Sequence, residues 1–131
     1  MKRVLATREG LIGGLTAAGL TIRPNSVFVA LPARKALWRI VRVRLGKSSI
    51  LAPVLDLGPW FPFRAYKDDD AYVFGEERPL AEKLRGQTRE GDHNKYQING
   101  AAIDLSDGVI EALNMLPEQW GLREVEWEFI E

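Results

Sequence analysis

Glycine and proline punctuate this chain too densely for long helices. Twelve Gly and seven Pro are spread over 131 residues. Between them lie short runs rich in β-branched and aromatic residues, the pattern of a small all-β fold. Val4–Thr7 is a first, short strand and Ser26–Leu31 a second, ended by Pro32. Arg39–Leu45 alternates, with Val41, Val43 and Leu45 on one side and Arg42 and Arg44 on the other. Gly46-Lys47-Ser48 reads as a hairpin loop, and Ser49–Asp56 returns as a strand. Pro53 inside that strand predicts an edge or a bulge. The run from Leu122 to Phe129 sets Val125, Trp127 and Phe129 against Glu124, Glu126 and Glu128, a half-buried strand with an acidic outer face.

One helix stands out. Ser106 is a good N-cap, Asp107 sits in the first turn where the helix dipole favours it, and Val109, Ile110, Leu113 and Leu116 follow at helical spacing. Leu105 and Ile110 are placed as a hydrophobic staple, and Pro117 is the expected stop. Shorter turns are expected over Pro32–Leu37 and Pro79–Leu84. The sequence therefore predicts one all-β domain over residues 1–131, a small barrel with one or two short helices and a long insertion at about 60–99. The insertion is aromatic in its first half and polar from Arg85 to Asn99. Connections this long are functional or mobile.

Composition narrows the function classes. Eighteen Lys+Arg balance eighteen Asp+Glu, so the basic excess of a nucleic-acid binder is missing. There is no Cys, which removes thiolate chemistry and disulfides, and the single His93 excludes paired-His metal motifs. His93 reads as an exposed loop residue. No cofactor and no metal are expected. No apolar run is long enough to span a membrane as a helix. Leu11–Leu20 is interrupted and glycine-rich, not a clear signal peptide. With no clear export signal, the chain is expected to be either cytoplasmic or released by some other route, and its compartment stays open.

Two carboxylates stand out by context. Asp56 ends an apolar strand just before Gly58-Pro59, and Asp104 follows Ala101-Ala102-Ile103 just before the helix cap. Partial desolvation raises a carboxyl's pKa and makes it a usable general acid, and a pair flanking a sugar bond is the glycosidase arrangement. Each also has an ordinary structural role available: an Asp beside a turn accepts backbone N–H bonds, and one before a helix caps it. Trp60, Phe61, Phe63, Tyr66, Tyr72 and Phe74 crowd into fifteen positions. They either cover a barrel end or stack on pyranose faces. Asp68-Asp69-Asp70 lacks the spacing of a cation loop and reads as a solvated charge run. Gly13–Gly19 lacks the residues of a phosphate-binding loop and reads as a turn-rich loop.

The order of these motifs resembles a known family. Thr16-Ala17-Ala18-Gly19, Val29-Ala30-Leu31-Pro32, Val41-Arg42-Val43, Pro53-Val54-Leu55-Asp56-Leu57-Gly58-Pro59-Trp60 and Ala102-Ile103-Asp104-Leu105-Ser106 occur in the sequence of the RlpA-like double-psi β-barrels, relatives of barwin, expansins and family-45 endoglucanases. The resemblance runs from about Val4 to Leu116 and implies a six-stranded double-psi barrel with a groove across one face. It implies Asp104 as the catalytic acid, Asp56 as its neighbour and Thr7 as a groove-lining residue. Trp60, Tyr66 and Tyr72 would be the stacking residues. The implied partner is a polysaccharide, peptidoglycan before cellulose, and the implied reaction is lytic transglycosylase cleavage of glycan strands. Gly19 stands where the RlpA-like enzymes carry His, and Leu57 where they carry Arg. Two alternatives therefore stay open: a non-catalytic, expansin-like glycan-binding module, and a phage or bacterial structural protein on a barrel scaffold. The oligomeric state is open.

Overall fold

The structure, a computed structural model, describes residues 1–59, 69–90 and 95–130. Six strands close into a barrel: β1 (Lys2–Arg8), β2 (Val29–Leu31), β3 (Ile40–Leu45), β4 (Ser48–Leu57), β7 (Ala101–Leu105) and β8 (Arg123–Phe129). Their order around the barrel is β1-β7-β2-β4-β3-β8, with β8 pairing back onto β1. β1 runs parallel to β7 and β2 parallel to β4, while the other four pairings are antiparallel. The chain is thus an all-β barrel, as its punctuation predicts, and has the six strands that the resemblance implies.

Alternation decides what faces inward. Val4 and Ala6, Val29 and Leu31, Val41 and Val43, Ile103 and Leu105, and Val125 and Trp127 are buried in one core. The residues between them face out, which is where Thr7, Ala30, Asp56 and Asp104 fall. Trp127 is fully buried, edge-on to Tyr72 (6.0 Å) and Phe129 (5.1 Å). Arg39 lies over the Phe129 ring at 3.9 Å, and Phe74 stacks on Phe129 at 5.4 Å. The aromatics at Tyr72 and Phe74 therefore pack with the barrel's own aromatic residues.

Several expectations need correction. β4 is interior, flanked by β2 and β3, so Pro53 does not mark an edge. It sits one residue before pairing with β2 begins at Val54, where its missing N–H leaves no ladder bond unmade. The irregularity lies just beyond: Val29 pairs with Val54 but Ala30 with Asp56, leaving Leu55 as an extra residue. A second bulge faces it. Trp38 N–H donates to Val54 O at 2.7 Å and Val54 N–H to Arg39 O at 2.8 Å, so Trp38 and Arg39 together oppose Val54. Trp38 takes φ +71° there, a left-handed position where glycine is the usual occupant.

The capping helix α2 spans Asp107–Ala112, with the Ser106 hydroxyl accepting from Val109 N as expected. It ends well before Pro117, because Asn114 turns into the left-handed region (φ +64°), and Pro117–Gln119 forms its own 3₁₀ turn. Leu116 is consequently exposed instead of continuing the apolar face. The short turns at Arg34–Ala36 and α1 (Leu80–Lys83) are present. The polar part of the insertion is not loop alone: β5 (Thr88–Glu90) and β6 (Lys95–Gln97) pair as a hairpin.

Two members of the acidic run, both half-exposed, also have backbone partners. Asp69 accepts from Arg34 N at 2.7 Å, and Asp70 accepts from Tyr72 N and Leu80 N at 3.2 and 3.0 Å. Both side chains fasten backbone turns. His93 and Asp68 lie outside the described residues.

Candidate active site

The register of four adjacent strands builds the site. Thr7 on β1 pairs with Asp104 on β7; Asp104 pairs with Ala30 on β2; Ala30 pairs with Asp56 on β4. Paired residues share a face, so these four form one rung across the outer wall. The two aspartates are two strand spacings apart, about 10 Å between backbones. Ala30 between them has only a methyl group and is fully buried, so it forms a floor and not a barrier. Forty-eight residues separate Asp56 from Asp104 in sequence (104 minus 56), and the barrel closes that gap.

Each acid is held differently. The Thr7 hydroxyl donates to Asp104 Oδ1 in a short hydrogen bond. On the other side Gly58 presses its backbone against Asp104. A Cβ at position 58 would lie 2.6 Å from Asp104 Oδ2 and 3.7 Å from the Ala30 methyl. That is why the Asp-x-Gly-Pro motif needs its glycine. Asp56 Oδ1 accepts from its neighbour Leu57 N and from Ala17 N, both at 2.9 Å. Ala17 is carried by the turn-rich loop, which is ordered by Gly13 N to Ile22 O and Ile22 N to Gly14 O bonds, both 2.8 Å. Ile22, Phe28 and Leu55 form a small separate core beneath that loop. Asp56 thus fills the structural role its context suggests, accepting backbone N–H bonds. Asp104 caps nothing; Ser106 does that work.

A third carboxyl, unremarked in the sequence, completes the site. Glu9 follows β1, its N–H donating to Leu105 O at 2.9 Å. Its Oε2 is buried with no hydrogen-bond partner among the described residues. Burial first, then a proton shared with Asp56, then the charges of Asp56 and Asp104, push the Glu9 carboxyl up to about 10. Asp104 is pushed up to about 7, chiefly by burial and further by the charge of Asp56, against the opposing Thr7 hydrogen bond. Near neutral pH the site therefore holds Glu9 as a neutral acid and Asp104 poised between its two forms, which suits a general acid. The only sequence signal for Glu9 was a charge directly at the end of a strand whose Thr7 faces the same way.

The family model described as Domain of unknown function (DUF8814) matches residues 1–123. The chain belongs to this family. The DUF8814 match includes β1 through β7, and so every residue of the rung and Glu9. No curated protein matches the sequence.

The expected stacking residues fall differently. Tyr72 is 2% exposed, and its hydroxyl donates to Ala102 O. Its place is in the core, so it offers no face to a sugar, and that expectation is overturned. Trp60 and Tyr66 lie outside the described residues. Trp38, which the sequence did not single out, is instead 61% exposed. Among the described residues no group of three or more His, Asp or Glu is arranged to hold a metal ion. Nor is any helix among them long and apolar enough to cross a membrane.

Proposed function

We propose that this DUF8814 protein cleaves the glycan strands of peptidoglycan by a lytic transglycosylase reaction, with Asp104 as the acid. The observation that carries the reading is the setting of that carboxyl: part-buried, gripped by the Thr7 hydroxyl, on one rung with Asp56, and pushed up to about 7 by desolvation and the Asp56 charge. Asp104 gives its proton to the oxygen linking N-acetylmuramic acid to N-acetylglucosamine, and the bond from C1 to that oxygen breaks. The muramic 6-hydroxyl oxygen bonds to C1 and closes the anhydro ring. Its proton passes to the Asp104 carboxylate, which restores the starting acid, so no second nucleophilic carboxylate is needed. Asp56, fixed by its two N–H donors, raises the proton affinity of Asp104 through its charge and faces the sugar across Ala30. The closed barrel with parallel β1–β7 and β2–β4 pairings, and the motif order along it, support kinship with the RlpA-like double-psi barrels.

A second reading rests on Gly19. Where the RlpA-like enzymes carry His, this chain has a glycine at φ +88° with no atom within 4 Å of where a Cβ would be. A barrel that binds glycan without turnover, in the manner of an expansin, has no need of that imidazole. One experiment separates the readings. Intact and denuded sacculi are incubated with wild type and Asp104→Asn, and soluble products are identified by mass spectrometry. Anhydro-muropeptides released by wild type and absent with Asp104→Asn support the enzyme. Pelleting with sacculi and no soluble product supports the binding module. Neither pelleting nor product, with co-purification of a virion or secretion component, would leave the barrel as a structural scaffold.

A further inference from the structure

We infer that Trp38 is a sugar-stacking platform at the β4 end of the acid rung, a subsite for a pyranose one or two units from the bond being acted on. The inference rests on the glycan reading above and adds a residue to it that neither the aromatic insertion nor the motif order assigns. Three observations carry it. First, Trp38 occupies the left-handed position of a bulge (φ +71°), where a Cβ is disfavoured and glycine costs nothing. A large aromatic residue held there is a local cost that the fold does not require. Second, it gains little burial in return, since 61% of it is exposed, whereas Trp120 and Trp127 are 7% and 0% exposed. Third, the bulge hydrogen-bonds Trp38 to Val54, two residues before Asp56 on the same strand. The indole is thereby tied to the strand that carries one acid of the rung.

The surface around it continues the same character. Ile40 pairs with Pro53 and Arg42 with Leu51 on the outer face of β3 and β4, and Ile40 and Leu51 are 39% and 50% exposed. A flat indole beside a strip of apolar side chains, on the strand pair that also carries Asp56, matches the two kinds of surface of a pyranose ring. The apolar C–H faces meet the ring and the hydroxyl edges meet the acids. Fixing the indole by a bulge orders it before binding, which lowers the entropy cost of contact.

The strain gives the test opposite signs. Trp38→Gly removes the left-handed penalty and gives up only the partly covered surface of a mostly exposed side chain, so its thermal midpoint is expected at or above that of wild type. Its pelleting with insoluble sacculi is expected to fall several-fold, and Trp38→Phe to restore most of it. A Trp38→Gly variant that melts below wild type would show Trp38 to be a packing residue and overturn the inference. So would unchanged pelteting of that variant, including the case where its sedimentation velocity reveals a lost self-association, since the indole would then serve a second copy of the chain. If wild type itself does not pellet, the glycan reading fails and takes the subsite with it, an outcome distinct from failure of Trp38 alone.

Discussion

At the scale of single residues, the site depends on a glycine as much as on its acids. Gly58 is packed so that any side chain meets the Asp104 carboxyl first. Gly58→Ala is expected to cost roughly 1–3 kcal/mol of stability through overpacking. It should also displace Asp104 from Thr7, lowering activity on sacculi far more than Thr16→Ser would; urea unfolding and product release measure the two. Thr7 opposes the rise of the Asp104 pKa. Thr7→Val removes the donor at nearly constant volume, so the pH at which activity falls is expected to move upward, read from a pH–rate profile. Asp56 and Asp104 were legible because each ends an apolar run beside a turn or cap. Glu9 was not, because a charge after a strand is commonplace and only the barrel buries it against Asp56. Tyr72 was misread because an aromatic-rich insertion does not say which rings point inward.

At the scale of elements, the link between the barrel and α2 runs through Ser106. Its hydroxyl oxygen accepts from Phe28 N at 2.9 Å as well as from Val109 N, and the residue is 2% exposed. One atom therefore satisfies a helix N–H and the N–H of a residue that leads into β2. Ser106→Ala leaves both without that acceptor, and about 2 kcal/mol of destabilisation is expected by thermal or chemical denaturation. Gly108 sits in the next turn, where a Cβ would come within 2.4 Å of Ser26 O. The helix approaches the loop before β2 this closely only because position 108 is glycine. The strands were legible from alternation and the cap from its residue type. The helix end was not, because Asn114 in the left-handed region competes with a proline that looked decisive. Pro53 signalled the bulge just beyond it but not an edge: its position relative to a neighbouring strand, fixed only by register, decides whether a missing N–H matters.

At the scale of the whole molecule, the buried acids tie stability to pH. Both Glu9 and Asp104 have folded-state pKa values raised above their ordinary ones, to about 10 and about 7. Their contribution is complete below about pH 4, where both states are protonated, and declines as pH rises through the folded-state values. Between about pH 4 and 7 the folded state holds two protons that the unfolded chain has released. Between about 7 and 10 it holds one. Stability is therefore expected to fall with pH in two stages, at up to about 1.4 kcal/mol per pH unit for each proton. Denaturant midpoints measured from pH 4 to 10 test this. Asp104→Asn should flatten the lower stage and Glu9→Gln should remove the upper one. If the wild-type profile is flat across that range, the acids are not buried as described.

The barrel's closure also sets an order of events for a chain leaving a ribosome. Thr7 and Asp104 are 97 positions apart, and the Trp120 indole N–H reaches back 114 positions to Ala6 O. β1 emerges first, yet both of its neighbours, β7 and β8, come from the other end of the chain. Until those strands appear, β1 offers two unpaired edges and an apolar face, so it must wait in an extended, association-prone form. The rung of Thr7, Asp104, Ala30 and Asp56 cannot exist in any partly made chain, because its four residues become neighbours only when the barrel shuts. Such a site cannot bind or act before the barrel is complete, and β1 is the strand where a holding chaperone would bind.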